Sequence, residues 1–245
     1  MRLSTTCLLA AVTLALAGQS DSDHAFGPNG AFRLEVSSDG FGKRSHGVIQ
    51  TANRRRKFYP LPQSAVGDYK KLHPHEYGVA LLTEKNYERQ EVIGPHQIED
   101  SKLWFGKSFY DGEGMRGVGA FGYFDAAAGQ YQLFTPPEVA LWEISAILVE
   151  DDSVWMGLDH FGEDISKSPG GLVRWDRESH GVRRYPLEFV VNRIARHGSL
   201  LHLDTSRGYA ELQNDVIRRF EIRRNKSGAS IVVPVAKFPP PPTNQ

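Results

Sequence analysis

Three glycine-containing segments of the sequence concentrate the carboxylate, imidazole and guanidinium groups that could bind a ligand or move a proton. They span residues 38–46, 110–116 and 159–164, and a shorter segment at 206–208 keeps one arginine. Polar loops that converge on a rigid scaffold are a common place for binding residues. The segments therefore predict a binding face, although ordinary hydrated loops have the same composition. The candidate ligand-binding residues are Asp39, His46, Asp111, Glu113, Arg116, Asp159, His160, Glu163 and Arg207.

Metal binding is the first chemical alternative for these segments. The carboxylates of residues 159–164 are oxygen donors of the kind that calcium prefers, but their spacing matches no known calcium loop. The run His73-Pro74-His75 lacks the further ligands that a zinc site requires. We therefore expect no metal site and no cofactor.

Catalysis is the second alternative. A hydrolase or lyase could use His46 or His160 as a general base, with Arg116 or Arg207 holding an anionic substrate. The sequence contains no nucleophile elbow, no Walker loop and no dinucleotide fingerprint. Because an active site assembled from distant loops leaves no local motif, the choice between an enzyme and a binding protein stays open.

The N-terminus has the three-part layout of a cleavable secretory signal. Arg2 supplies a positive start, an apolar run follows from Cys7 to Ala17, and the chain turns polar at Gly18. The apolar run is shorter than the roughly 20 residues that span a bilayer. We expect cleavage after Ala17, so that residues 1–17 are a signal peptide and the mature protein is periplasmic or secreted.

Cleavage would remove Cys7, which is the only cysteine of the 245 residues. The mature chain would then hold no disulfide, and it is long enough to bury a sizeable core without one. The full chain has 29 basic and 29 acidic residues. This balance argues against nucleic acid or an anionic membrane as a partner, and we expect a monomer that binds a small molecule, a glycan or a protein.

The rest of the chain shows a repeat of short strands. Glycine is frequent, with 24 residues, and short apolar alternations are separated by turn residues. Segment 98–106 aligns with segment 149–157 at a shift of 51 residues. The alignment matches Trp104 with Trp155 and Gly106 with Gly157. Residues 138–149 fit either a helix or a strand.

Further positions support the repeat. The same shift carries Phe124-Asp125 onto Trp175-Asp176, and it carries Leu133-Phe134 onto Arg184-Tyr185. A third copy begins at Ile194, and an earlier copy begins at Gly47. Repeats of about four short strands are typical of propeller blades. The sequence thus predicts an all-β fold over residues 26–238, a small β-propeller, followed by a proline-rich tail at 239–245.

One blade also carries a family resemblance. The segments Trp155-Met156-Gly157, Gly171 to Asp176 and Tyr185-Pro186-Leu187 resemble the blades of two-component-regulator propellers. They are more loosely similar to streptogramin-lyase and sugar-lactonase propellers. The resemblance covers Ala31 to Arg224 and implies a propeller, for which the mature chain has room for four or five blades of about 45 residues.

The sequence also suggests how the ring closes. Asn29-Gly30 is a hairpin signal, and almost no strand precedes it. Residues 230–235 are a strand pattern without an evident hairpin partner. We therefore expect residues 230–235 to pair with the first blade, which would leave no open sheet edge.

Overall fold

The computed structural model describes residues 24–26, 32–37, 46–63, 90–110, 115–139, 142–159 and 170–235. These residues form an all-β fold of four antiparallel sheets, with a single 3-10 turn at Pro137–Val139. No helix within these ranges is long and apolar enough to cross a membrane. The ambiguous stretch 138–149 is resolved in favour of a strand, Glu143–Val149.

In every sheet the strands are hydrogen-bonded in chain order. The first sheet contains β1 (His24–Phe26), β2 (Arg33–Val36), β3 (Gly47–Ala52) and β4 (Arg55–Pro60). The second contains β5 (Gln90–Glu99), β6 (Lys102–Tyr110), β7 (Met115–Asp125) and β8 (Gln130–Phe134). The third contains β9 (Glu143–Val149), β10 (Ser153–Asp159), β11 (Leu172–Asp176) and β12 (Val182–Tyr185). The fourth contains β13 (Val191–His197), β14 (Leu200–Thr205), β15 (Gly208–Gln213), β16 (Val216–Arg224) and β17 (Ser230–Val235).

Each pair of successive sheets shares one apolar core. Leu34 and Val48 of the first sheet pack with Phe105 and Phe124 of the second. A second cluster joins the second and third sheets, and a third cluster joins the third and fourth. Face-to-face packing of successive four-stranded meanders is the arrangement of propeller blades. The predicted propeller fold is therefore confirmed, with four blades in the part of the chain that the structure describes.

The repeated Trp-x-Gly motif lies on the second strand of a blade. Its glycine leaves room for the first strand of the next blade, and we call the first strand of each blade its inner strand. A Cβ atom added to Gly106 on β6 would lie 2.3 Å from the Ile144 Cβ on β9. A Cβ atom added to Gly157 on β10 would lie 2.7 Å from the Val191 carbonyl oxygen on β13. Real Cβ atoms do not approach so closely. Glycine at these positions is thus required by the contact between blades.

The tryptophan of the motif is fixed by the same hydrogen bond in both blades. Trp104 Nε1 donates to Glu99 Oε2 at 3.2 Å, and Trp155 Nε1 donates to Glu150 Oε2 at 2.9 Å. Both indoles are buried. Each glutamate follows or ends the inner strand of its own sheet, five residues before the tryptophan. The two blades are therefore alike in side-chain interactions as well as in strand order.

An arginine of the following sheet binds each of these glutamates. Arg177 Nη1, in the turn between β11 and β12, lies 2.7 Å from Glu99 Oε1. Arg196 on β13 donates two hydrogen bonds of 2.7 Å to Glu150. The bonds from Arg196 hold the pKa of the Glu150 carboxyl below its usual value. A charge-assisted bridge thus links the second sheet to the third and the third to the fourth.

The aspartates of the repeat form equivalent turns. Asp125 Oδ1 accepts hydrogen bonds from the backbone N–H groups of Ala127 and Ala128, at 2.8 and 3.1 Å. Asp176 Oδ1 accepts from the N–H of Ser179 at 2.8 Å. Such local bonds from an aspartate to the following backbone initiate a turn. The aspartates therefore set the turn between the third and fourth strands.

The predicted pairing of residues 230–235 with the first blade is wrong. β17 pairs with β16 in the fourth sheet, in a register from Arg219 opposite Val235 to Arg224 opposite Ser230. A tight turn explains the local pairing. Asn225 Oδ1 accepts hydrogen bonds from the N–H groups of Ser227 and Ala229, and Gly228 adopts a φ of 82°.

The hairpin expected at Asn29-Gly30 agrees with the pairing of β1 with β2, which runs from His24 opposite Glu35 to Phe26 opposite Arg33. The strand that precedes it, β1, has three residues. The dipeptide itself lies outside the described residues.

We predict that Gly106→Ala destabilises the protein by about 1–3 kcal/mol, the usual cost of forcing an extra carbon into a packed interface. The reason is the clash with Ile144 across the second and third sheets. Chemical denaturation measures the effect. Gly181→Ala is the control, because its Cβ would meet only the Ser179 Oγ, at 3.2 Å. Equal stability of the two variants would contradict the proposed role of Gly106.

Candidate functional site

One end of the blades gathers the connections that the sequence singled out. The second strands end there at Val36, Tyr110, Asp159 and Thr205, and the third strands begin there. Because the strands are antiparallel, the inner strands β5, β9 and β13 also begin at this end. We call it the loop end. In the described strands, the second-to-third-strand connections and the connections between blades therefore lie at the same end.

The nine candidate residues are only partly described. Asp39, Asp111, Glu113, His160 and Glu163 lie outside the described residues, and for Arg116 only the backbone position on β7 is described. His46 immediately precedes β3, and its carbonyl accepts a hydrogen bond of 2.7 Å from the N–H of Leu61. Asp159 is the last residue of β10. Arg207 is exposed in the tight turn between β14 and β15.

Asp159 lies opposite a glutamate that the sequence analysis did not select. Glu143 is its partner in the register of β9 and β10. Ser108 Oγ on β6 donates a hydrogen bond to Glu143 Oε1 at 3.4 Å. Burial, and then the negative charge of Asp159, raise the pKa of the Glu143 carboxyl to about 7, while the bond from Ser108 opposes this shift. Glu143 therefore keeps its proton to a higher pH than an exposed glutamate does.

A buried ion pair lies on the neighbouring sheet. Lys107 Nζ on β6 is 2.6 Å from Glu91 Oε2 on β5, and the two side chains are 2% and 0% exposed. Breaking such a pair by removing one partner typically costs about 3–5 kcal/mol. The pair fixes β5 against β6 near the loop end, next to Ser108, which bonds to Glu143.

A cavity of about 660 Å3 extends along the inner strands. Its walls are residues 95–97 of β5, 145–148 of β9 and 192–196 of β13. This volume lies in the range of small-molecule sites, about 300–1,000 Å3. None of the three candidate residues with described side chains lines it. The described lining of the cavity therefore consists of residues other than these three candidates.

Each inner strand has a β-bulge where it borders the cavity. On β5 the register shifts between Ile93 and His96, and on β13 it shifts between Val191 and Arg193. On β9 the register shifts opposite Gly157 and Leu158 of β10. Bulges redirect side chains and are common beside functional sites. The three bulges lie at equivalent places. Because each interrupts the regular alternation of its strand, polar side chains can reach the cavity wall.

Two of these polar side chains also join the inner strands to one another. Gln97 uses both ends of its amide on Val149, donating to the carbonyl at 3.1 Å and accepting from the N–H at 2.9 Å. Ser145 Oγ donates to the Val191 carbonyl at 2.7 Å. β5 is thus linked to β9, and β9 to β13, by side chains. The cavity wall is therefore held in a fixed arrangement.

The lining is cationic. The described residues that form it include two arginines and a histidine, and none of them is acidic. Arg196 is committed to Glu150, but Arg193 Nε is 3.8 Å from Asp204 Oδ2, and both of those side chains are more than 40% exposed. An exposed pair at that distance contributes little. Arg193 therefore keeps most of its capacity to bind an anion.

His96 adds a second polar group to this wall. Its Nδ1 lies 3.1 Å from the Gly94 carbonyl oxygen. Since a carbonyl can only accept, Nδ1 carries the proton in this bond, and Nε2 is left to face another partner. His96 can thus present Nε2 to a ligand in the cavity.

Sequence reasoning missed the cavity residues because they lie in strands. Polar clusters are recognisable in glycine-containing loop segments, whereas His96, Gln97 and Arg193 belong to the strands β5 and β13. The one available signal was Gly94-Pro95 inside a strand pattern, since glycine and proline in a strand often mark a bulge. Within the described ranges, no group of three or more His, Cys, Asp or Glu residues is arranged to hold a metal ion.

Comparisons with known proteins give only distant likenesses. No protein-family model matches the sequence, and no curated protein matches it. The extracellular domain of a putative one-component system from B. thetaiotaomicron is similar over 84% of this chain and 28% of its own, at 10% identity and a TM-score of 0.38. This chain thus spans less than a third of that protein.

Two sugar-cleaving enzymes are also similar. An α-L-arabinofuranosidase from Clostridium thermocellum matches over 86% of this chain and 71% of its own, at 12% identity and a TM-score of 0.31. An arabinanase from Bacillus subtilis matches over 86% and 91%, at 8% identity and a TM-score of 0.23. Likeness at this level gives no information about what the present chain binds.

The raised pKa of Glu143 predicts how stability depends on pH. The folded value of about 7 exceeds the reference value of 4.5. The folded state therefore holds the proton more tightly, and the contribution is fully present below pH 4.5 and lost as pH rises through 7. Glu143→Gln should flatten this decline, which we expect to be about 1–3 kcal/mol. Urea titrations at several pH values measure it, and Glu188→Gln, at an exposed position before β13, is the control.

Proposed function

We propose that this chain is a binding protein that takes a small anionic ligand in the cavity between its inner strands. The observation that carries this proposal is the lining, in which Arg193 and His96 face a space of ligand size with no acidic residue among the described ones. Guanidinium groups are well suited to carboxylate and phosphate, since they donate parallel hydrogen bonds. The apolar parts of Ile147 and Leu148 supply the remaining contact surface.

The rigid wall supports binding as well. Bonds from Gln97 and Ser145 hold the three inner strands before any ligand arrives, so little ordering is required on binding. The loops of residues 38–46, 110–116 and 159–164 remain candidates for a second contact with a larger ligand such as a glycan or a protein. The signal-like residues 1–17 support binding outside the cytoplasm. The proposal takes the binding unit to be a monomer.

A hydrolase or lyase is the second candidate, and the pair Glu143 and Asp159 favours it. A carboxyl group with a pKa of about 7 can give or take a proton near neutral pH, which is the property of a general acid or base. The pair lies at the beginning of β9 and the end of β10, at the loop end. Turnover of a ligand bound at the loop end that Glu143→Gln abolishes, with binding intact, would favour this alternative.

The binding proposal predicts that a panel of small carboxylates and phosphate esters contains compounds that raise the melting temperature, because a ligand of the folded state stabilises it. Calorimetry with such a compound should show at least about tenfold weaker binding for Arg193→Gln, the usual effect of losing a hydrogen bond to a charged group. Arg183→Gln is the control, since Arg183 pairs with Asp215 away from the cavity. Equal weakening by both variants, or no stabilising anion, would overturn the proposal.

A further inference from the structure

Two of the three bulges place a polar side chain on the cavity wall. On β9 the neighbours of Ser145 pair with β10, whereas Ser145 itself is passed over by the register. On β13 the neighbours of Asn192 pair with β14, and Asn192 is passed over in the same way. Both residues line the cavity. On β5 the equivalent place holds Gly94 and Pro95, which carry no polar side chain.

The two bulge residues meet although they belong to different sheets. Ser145 Oγ donates a hydrogen bond of 2.7 Å to the carbonyl oxygen of Val191. That carbonyl belongs to the peptide group that joins Val191 to Asn192. Arg193 follows at the next position, and it lines the cavity as well. A hydroxyl, an amide and a guanidinium group are therefore gathered on one side of the cavity.

The hydroxyl and the amide keep hydrogen-bonding capacity for a ligand. Ser145 uses its hydroxyl proton on Val191, which leaves the lone pairs of Oγ as acceptors. Asn192 is exposed, and its amide offers two donated protons and an accepting oxygen. A hydroxyl group of a ligand both donates and accepts, so it matches this pair. An apolar group at the same place would displace water from the amide without replacing its hydrogen bonds.

The apolar part of the lining suits a saturated carbon skeleton. Ala146 and Ile194 are buried in the core between the third and fourth sheets, whereas Ile147 and Leu148 are only partly buried. No described residue of the lining is a phenylalanine, tyrosine or tryptophan. The wall therefore offers aliphatic contacts and polar groups, but no aromatic ring on which a flat ligand could stack.

From this arrangement we infer that the ligand is a hydroxylated carboxylate, with its carboxylate at Arg193 and a hydroxyl group at Ser145 and Asn192. The inference rests on the anion binding proposed above and adds the chemical class of the ligand. A carboxylate fits better than a phosphate monoester because Arg196 is committed to Glu150. The remaining guanidinium balances the single charge of a carboxylate, whereas a phosphate monoester carries about −1.5 to −2.

The test compares three compounds built on the same six-membered carbon ring, by calorimetry with the full chain. Quinate carries a carboxylate and several hydroxyl groups, cyclohexanecarboxylate carries the carboxylate alone, and myo-inositol carries hydroxyl groups alone. We expect quinate to bind at least about tenfold more tightly than either of the others, since each of them lacks one half of the polar contacts.

A variant of the bulge residue assigns this preference to its side chain. Asn192→Ala should weaken quinate binding by about tenfold and leave the affinity for cyclohexanecarboxylate unchanged. Gln132→Ala is the control, because Gln132 is an exposed amide on β8 that does not line the cavity. This control should keep the full preference for quinate. The readout is the ratio of two affinities of one variant, so a change in stability alone does not alter it.

The outcomes separate this inference from the proposal on which it rests. Equal binding of quinate and cyclohexanecarboxylate would overturn the inference and leave anion binding intact, and so would a preference that survives Asn192→Ala. Binding of phosphate esters without binding of any carboxylate would have the same consequence. If myo-inositol binds as tightly as quinate, or if no anion binds, the inference and the proposed function both fail.

Discussion

The contact between a glycine on one blade and the inner strand of the next governs the arrangement of this protein. At Gly106 and Gly157 the backbone of a second strand lies directly against β9 and β13. This close approach brings the inner strands side by side, where Gln97 and Ser145 can bond across them. The indole-carboxylate-guanidinium bridges at Glu99 and Glu150 then join the sheets where β5 and β9 end.

The cavity is a consequence of irregularity within that regular scheme. Close-packed inner strands with strict alternation would direct every second side chain into an interface between blades. The bulges interrupt the alternation on β5, β9 and β13 at equivalent places. Polar groups thereby reach the cavity while the apolar residues on either side remain in the cores between sheets. A repeated irregularity thus accompanies the cavity on all three strands that line it.

Much of the fold could be predicted from the sequence. Trp104 and Gly106 recur at Trp155 and Gly157 because the same packing requirement applies within each blade. The recurrence is therefore visible in the sequence as a fixed spacing. The position of β17 could not be predicted, because the choice between a near and a distant partner depended on the turn at Asn225.

The sites were harder to predict for a physical reason. The cavity groups acquire their direction from bulges, and a bulge depends on the partner strand as well as on its own residues. Glu143 becomes unusual only through burial and through Asp159 opposite it. Its sequence neighbourhood, an ambiguous apolar stretch, indicated neither circumstance. Loop composition identified Asp159. Glu143, whose pKa is raised in part by the charge of Asp159, lies on another strand.

The side-chain amide of Gln97 has a broader consequence. By pairing with both main-chain groups of Val149 it makes, at one point between two separate sheets, the two hydrogen bonds that a neighbouring strand would make. Successive sheets are joined in this way and by shared apolar cores. The cooperativity of unfolding among the described blades therefore depends on the interactions between neighbouring blades. A substitution that disturbs one blade should therefore weaken its immediate neighbours before it affects more distant blades.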